Sequence, residues 1–167
     1  MLIRPACADD FEAILRLNSE AVTATSPLDE AGLARLDGHA VFHRVAEVDG
    51  TVGAFLIAIR EGAGYDSVNY RWFMDAYERF LYVDRIVVAA EYRRAGLGAA
   101  LYDDLFGFAR QVDEPLVTCE INIEPPNDAS HRFHARRGFA EVGTQWVAGG
   151  TKRVSMQVAF VGQRAKE

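Results

Sequence analysis

The chain has 167 residues, of which half are hydrophobic and a quarter charged. That balance excludes a disordered chain and suits one domain, residues 1–167, with a single sizeable core. The formal net charge is −6, which excludes nonspecific nucleic-acid binding as the main role and means that a polyanionic ligand needs a local basic patch.

The two cysteines, Cys7 and Cys119, are far apart and lie in no metal-ligand spacing. They read as reduced, mostly buried thiols of a cytoplasmic protein. No basic start is followed by an apolar run, so no signal peptide is expected. No segment approaches the ~20 apolar residues that cross a bilayer, so no membrane partner is expected.

In chain order, Leu2-Ile3-Arg4 reads as a strand ended by Pro5. Asp9 or Asp10 can cap a helix carrying Phe11, Ile14, Leu15 and Leu17. A second helix is predicted over Leu28–Leu36. Strands over Val41–Val48 and Thr51–Ile59 flank Asp49-Gly50, a strong two-residue hairpin signal. Residues 60–79 carry Tyr65, Tyr70, Trp72, Phe73 and Tyr77. They read either as a loop or short helix completing the core, or as a wall of a substrate pocket.

Phe80–Val88 is the next strand, and a helix runs from Leu97 to about Val112. Leu116–Ile123 reads as a strand ended by Pro125-Pro126. Asn127 starts a short helix that Gly138 terminates. Strands over Phe139–Val147 and Thr151–Phe160 surround the Gly149-Gly150 turn, and the tail, 161–167, reads as frayed. The order β-α-α-β-β-β-α-β-α-β-β predicts an α/β (α+β) fold with a mixed sheet and helices on both faces.

The run Arg93-Arg94-Ala95-Gly96-Leu97-Gly98 joins a strand to a helix. A helix N-terminus offers unpaired N–H groups and partial positive charge, glycines admit phosphate close to the backbone, and the arginines add charge. A pyrophosphate fits this composition. A P-loop does not, because no Gly-Lys-Ser/Thr follows. A dinucleotide-binding protein is the rival reading, since Glu120 ends the next strand near the distance of a ribose contact. Against it, Leu101 stands at the third glycine position and the loop from Val88 is long. A capped helix without a ligand leaves the paired arginines unexplained.

Arg93-x-x-Gly96-x-Gly98 resembles the signature of the GNAT superfamily of CoA-dependent N-acyltransferases. So does Asn127 at a helix start, followed by Phe133-His134 and Gly138-Phe139. The resemblance covers nearly the whole chain and is strongest over 80–140. It implies a mixed, mostly antiparallel sheet of about seven strands, splayed between strands 4 and 5. It implies acetyl-CoA as cofactor. Ile86, Val87 and Val88 would bond the pantetheine and acyl groups. Arg93, Arg94, Ala95, Gly96, Leu97, Gly98 and Ala99 would hold the pyrophosphate. Asn127 and Ser130 would meet the CoA arm from the other side, and Arg136-Arg137 reads either as a 3′-phosphate contact or as a solvated face.

His134 stands where the family commonly has a tyrosine that protonates the departing thiolate. An imidazolium, at about 6.5, is a stronger acid than a phenol at about 10, but much of it is deprotonated at neutral pH. The ring can instead simply pack against its helix. Glu120 is the favoured acceptor of the amine proton and Asp84 the alternative, each also readable as half of an ion pair with Arg85 or Arg132. His39 and His43 do not read as a metal pair, and no metal is expected. Neither cysteine adjoins a histidine base, so direct transfer without an acyl-enzyme is expected. The expected acceptor is a small-molecule amine. A non-catalytic acyl-CoA-binding or regulatory domain is the alternative, and exposed strand edges leave room for a homodimer.

Overall fold

The computed structural model describes residues 1–21 and 25–162. Most of the tail read as frayed, 163–167, lies outside the described residues. Two compact units are present: Met1–Ile59 with Val83–Gly107, and Arg60–Tyr82 with Phe108–Glu167.

The first unit is built on β1 (Leu2–Pro5), β2 (Ala40–Val48), β3 (Thr51–Arg60) and the end of β4 (Leu81–Val88). β1 pairs antiparallel with β2, and β2 with β3. The β2–β3 turn is the one the sequence signals. Asp49 and Gly50 both take positive φ, 50° and 79°, as a type I′ turn requires. Residues 52–59 of β3 are all buried, the mark of a strand covered on both faces. Helices supply that cover: α1 (Phe11–Glu20), α2 (Glu30–His39) and α4 (Leu97–Gln111). The alternation of β2 shows it. His43 turns to Asp37 of α2 at 2.7 Å, and Arg44 turns to Asp104 of α4 at 3.3 Å.

The second unit contains β5 (Leu116–Glu124), β6 (Ala140–Val147) and β7 (Lys152–Phe160), with α3 (Val68–Ala76) and α5 (Asp128–Ala135). β7 lies between β5 and β6, antiparallel to both. β4 and β5 are parallel, with Leu81 opposite Val117 and Tyr82 opposite Thr118. The seven strands run in the order β1-β2-β3-β4-β5-β7-β6. This is the mixed, mostly antiparallel sheet expected, with one parallel pair.

Residues 60–79 resolve into α3. Ser67 caps it by accepting the Tyr70 N–H. Tyr70 and Phe73 are buried and meet Phe80 and Tyr82 at ring distances of 5.6–6.1 Å. For these two rings the core reading is right. Among the described residues no helix is long and apolar enough to cross a membrane. Nor, among them, does any group of three or more His, Cys, Asp or Glu stand ready to hold a metal ion.

Two local expectations are corrected. Cys7 is exposed, and only Cys119 is buried. Neither Asp9 nor Asp10 caps α1 through its side chain, because a single 3-10 turn, Ala8–Asp10, precedes the helix. Asp10 is instead buried, takes the Cys7 N–H at 2.9 Å and forms a two-pronged bond with Arg4 at 2.7 and 2.8 Å. The Arg4 bond holds its carboxyl down at about 2, against the cost of burial.

A lowered folded-state carboxyl stabilises the fold above its unfolded value of about 4, and that contribution fades as pH falls toward 2. Asp10→Asn is therefore expected to lower unfolding stability by about 1–2 kcal/mol at pH 7. Urea melts at several pH values should show the gap from the unsubstituted chain closing below pH 4. A gap that stays constant down to pH 3 speaks against the assignment.

Candidate active site

The expected phosphate loop begins where β4 ends. Ala89 N–H donates to Gly53 O of β3 at 2.8 Å, which anchors the end of β4. Ala90–Tyr92 then form one 3-10 turn. A Cβ on Gly53 would stand 2.5 Å from Tyr92 Cδ2 and 3.1 Å from Leu97 Cδ2. The bare backbone of Gly53 thus lets both side chains seat on β3, and this fixes where α4 starts. A glycine inside an otherwise apolar strand is the sequence signal for such an approach.

Between those two anchors the chain turns through left-handed conformations. Arg94 has φ 72° and Gly96 φ 83°. Gly96 has open space around its missing Cβ, so it is the backbone angle that calls for glycine there. Arg94 adopts the same region at a cost of roughly 1–2 kcal/mol, the kind of strain that gathers at ligand-binding segments. The first turn of α4 closes with Ala100 N–H donating to Gly96 O at 2.9 Å. The amides of Leu97, Gly98 and Ala99 precede that bond and have no carbonyl one turn back within the helix. Arg93, Arg94, Ala95 and Gly96 are exposed, Leu97 and Gly98 are buried, and Ala99 lies between. The result is an exposed turn with two arginines over a helix N-terminus, an arrangement whose amides and charge suit anionic oxygens.

On β4, Ile86 and Val88 are half-buried and alternate with buried Arg85 and Val87. Arg85 binds Asp84 Oδ2 at 2.7 Å, Asn18 Oδ1 of α1 at 2.8 Å and Ser26 Oγ at 3.1 Å. Asp84 is therefore half of a buried ion pair, its side chain only 5% exposed. The other candidate lies on β5.

That candidate, Glu120, is half-buried on β5. Tyr82 Oη lies 2.8 and 3.0 Å from its two carboxylate oxygens and donates to them. Sequence reasoning missed Tyr82. The only signal was strand alternation, which puts Tyr82 on the face of Asp84, Ile86 and Val88.

Asn127, Ser130 and His134 come together on α5. Asn127 Oδ1 caps the helix by accepting the Ser130 N–H at 3.2 Å. His134 is buried, edge-on to Phe133 and Phe139 with ring centroids 5.2 Å away in each case. Its Nδ1 lies 2.8 Å from the Ser130 carbonyl oxygen. A carbonyl only accepts, so Nδ1 carries the proton. Burial pushes the ring down to about 4; the Ser130 carbonyl opposes this in part, and His131 and Arg137 add to it. At neutral pH His134 is uncharged, with its proton directed at its own helix. Gly138, at φ 85°, follows the end of α5 as expected, and Arg137 stacks on Phe133 at 4.8 Å.

Comparison with known proteins adds a family. A search of curated proteins by sequence finds no significant match. Solved structures share the fold. Ard1 from Thermoplasma volcanium is 19% identical with a TM-score of 0.78, covering 97% of this chain and 98% of that one. The ribosomal-protein-S18-alanine N-acetyltransferase from Escherichia coli is 18% identical with a TM-score of 0.74, covering 99% and 96%. The ribosomal-protein-alanine N-acetyltransferase from Brucella melitensis is 23% identical with a TM-score of 0.71, covering 96% and 99%. The model of the acetyltransferase (GNAT) family matches residues 9–139, most of the chain, and takes in both the Arg93–Gly98 turn and the α5 segment. The chain belongs to the GNAT acetyltransferase family.

Proposed function

We propose that this chain transfers the acetyl group of acetyl-CoA directly to a primary amine, with a small molecule as acceptor. The observation that carries the reading is the left-handed turn at Arg94 and Gly96 over the N-terminus of α4. Its amides and two arginines fit a pyrophosphate. Acetyl-CoA, when bound, supplies an activated thioester carbonyl. The protein's part is to hold both reactants, orient them and move protons. Arg93 to Ala99 hold the pyrophosphate, and backbone groups of Ile86 to Val88 bond the pantetheine. Asn127 and Ser130 contact the same arm.

Glu120 takes the proton of the incoming amine, directly or through water. His134 stands near the departing sulfur, and because its own proton faces Ser130, water delivers the proton there. This departs from the imidazolium acid expected from sequence. A protein α-amine is the second reading, favoured because two fold neighbours carry ribosomal-protein-alanine N-acetyltransferase as their name.

The deciding measurement is acetyl-CoA binding by calorimetry, followed by thiol release over a panel of small amines and N-terminal peptides. Release with small amines alone supports the main reading, and release with peptides alone supports the second. Binding without release with any amine supports a non-catalytic acyl-CoA-binding domain. No binding at millimolar acetyl-CoA overturns all three.

Gly96→Val and Gly53→Val are each expected to weaken acetyl-CoA binding about tenfold, the first through backbone strain and the second by displacing Tyr92. Unchanged affinity in both variants contradicts the placement of the pyrophosphate. Glu120→Gln is expected to lower kcat by about 10²-fold or more while acetyl-CoA affinity stays within about twofold.

Histidine nitrogen resonances should show His134 neutral, with its proton on Nδ1, from pH 8 down to about 5. A ring buried neutral favours the fold above the unfolded value near 6.5, and that contribution is lost as pH falls toward 4. His134→Ala should therefore lower turnover less than Glu120→Gln. A midpoint near 6.5 together with a larger loss in His134→Ala restores the imidazolium acid.

A further inference from the structure

Helix α3 belongs to a connection of about twenty residues between β3 and β4, Glu61 to Phe80. A hairpin between adjacent strands needs only a few. The second unit shows where this extra helix goes. At one side Tyr70 and Phe73 pack on the Tyr82 ring, with centroids 5.6 and 5.9 Å away. At the other, Asn69 Oδ1 accepts from Gln145 Nε2 of β6 at 2.6 Å. Trp72 lies where a side chain on Gly143 would be, and a Cβ there would be 2.6 Å from Trp72 Cζ2.

The strand registers put these contacts on one face of the sheet. Gly143 of β6 is opposite Met156 of β7, and Met156 is opposite Glu120 of β5. Thr118, two residues before Glu120, is opposite Tyr82. Partners across strands share a face, as do residues two apart. So α3 spans from β4 to β6 over the very face that carries Glu120.

We propose that Tyr82 is a positioning residue for Glu120, and that α3 is the brace that holds it in place. This rests on the reading of Glu120 as the proton acceptor. One phenol hydroxyl placed between both carboxylate oxygens fixes the carboxylate plane as well as its distance. Without such a partner a glutamate samples several rotamers, and a small misplacement of a proton acceptor costs rate steeply. The Tyr82 ring, 1% exposed, cannot wander, because Tyr70 and Phe73 confine it. The aromatic helix that walls the face of Glu120 also sets the geometry of its carboxylate.

Tyr82→Phe tests this, since it keeps the packed ring and removes only the hydroxyl. With the amine that releases thiol fastest, kcat is expected to fall about tenfold or more while KM for acetyl-CoA stays within about twofold. In protein carrying carbon-13 at the glutamate carboxyls, the Glu120 resonance is identified by its loss in Glu120→Gln. At fixed pH it should move in Tyr82→Phe, a readout that needs no acceptor. An unmoved resonance overturns the proposal, as does a kcat within twofold of the unsubstituted chain. If Glu120→Gln keeps full turnover, the reading of Glu120 fails instead. If Glu120→Gln is slow and Tyr82→Phe is not, only the role of Tyr82 falls.

Discussion

The parallel pairing of β4 with β5 is the constraint from which the site follows. Two antiparallel strands can be joined by a tight turn, but two parallel strands cannot. The chain must travel back along the sheet, and a helix is the usual way. Here α4 makes that return. Its N-terminus therefore falls at the C-terminal end of β4, where the strand's last residues point. A helix N-terminus and a strand end come together from one topological need. Gly53 completes the arrangement by letting Tyr92 and Leu97 seat on β3.

Much of this was legible in the sequence because it depends on short-range rules. Asp49-Gly50 can hardly be anything but a tight turn, and Gly96 before an amphipathic run marks a helix start. Gly138 marks a helix end in the same way. These signals live in one or two residues and their backbone angles. The Tyr82–Glu120 pair is different in kind. Its members are 38 positions apart and meet only because parallel pairing sets Tyr82 beside Thr118. No local pattern announces that register. The state of His134 was equally hidden. Spacing put it on one helix face with Asn127 and Ser130, but its neutrality comes from burial against Phe133 and Phe139, which outweighs the opposing pull of the Ser130 carbonyl. The first-turn carboxylate Asp10 misled for a related reason. Its rank as a helix cap is a local preference, and a two-pronged bond to Arg4 outweighs it.

The acidic excess of the chain also reads differently once the structure is known. Asp10, Asp84 and Glu114 are carboxylates with buried side chains, and each meets an arginine: Arg4, Arg85 and Arg60 respectively. Burying a carboxylate without a partner is costly, so these arginines serve the fold rather than a ligand. Arg93 and Arg94 are exposed, and Arg94 takes a left-handed backbone conformation. A cation held in a costly backbone conformation on the surface is a better marker of a binding site than the total charge.

Cys7 carries a practical consequence. It is exposed while Cys119 is buried, so a colorimetric thiol reagent added to the native protein meets one sulfur per chain. An assay that counts liberated CoA with such a reagent begins with a stoichiometric burst that has nothing to do with turnover, and at high protein concentration this resembles a single rapid catalytic cycle. Serine at position 7 removes the artefact, and the substitution is mild because serine is among the best residues for the start of a helical turn. The same lone sulfur offers a place to attach a fluorophore without disturbing the core.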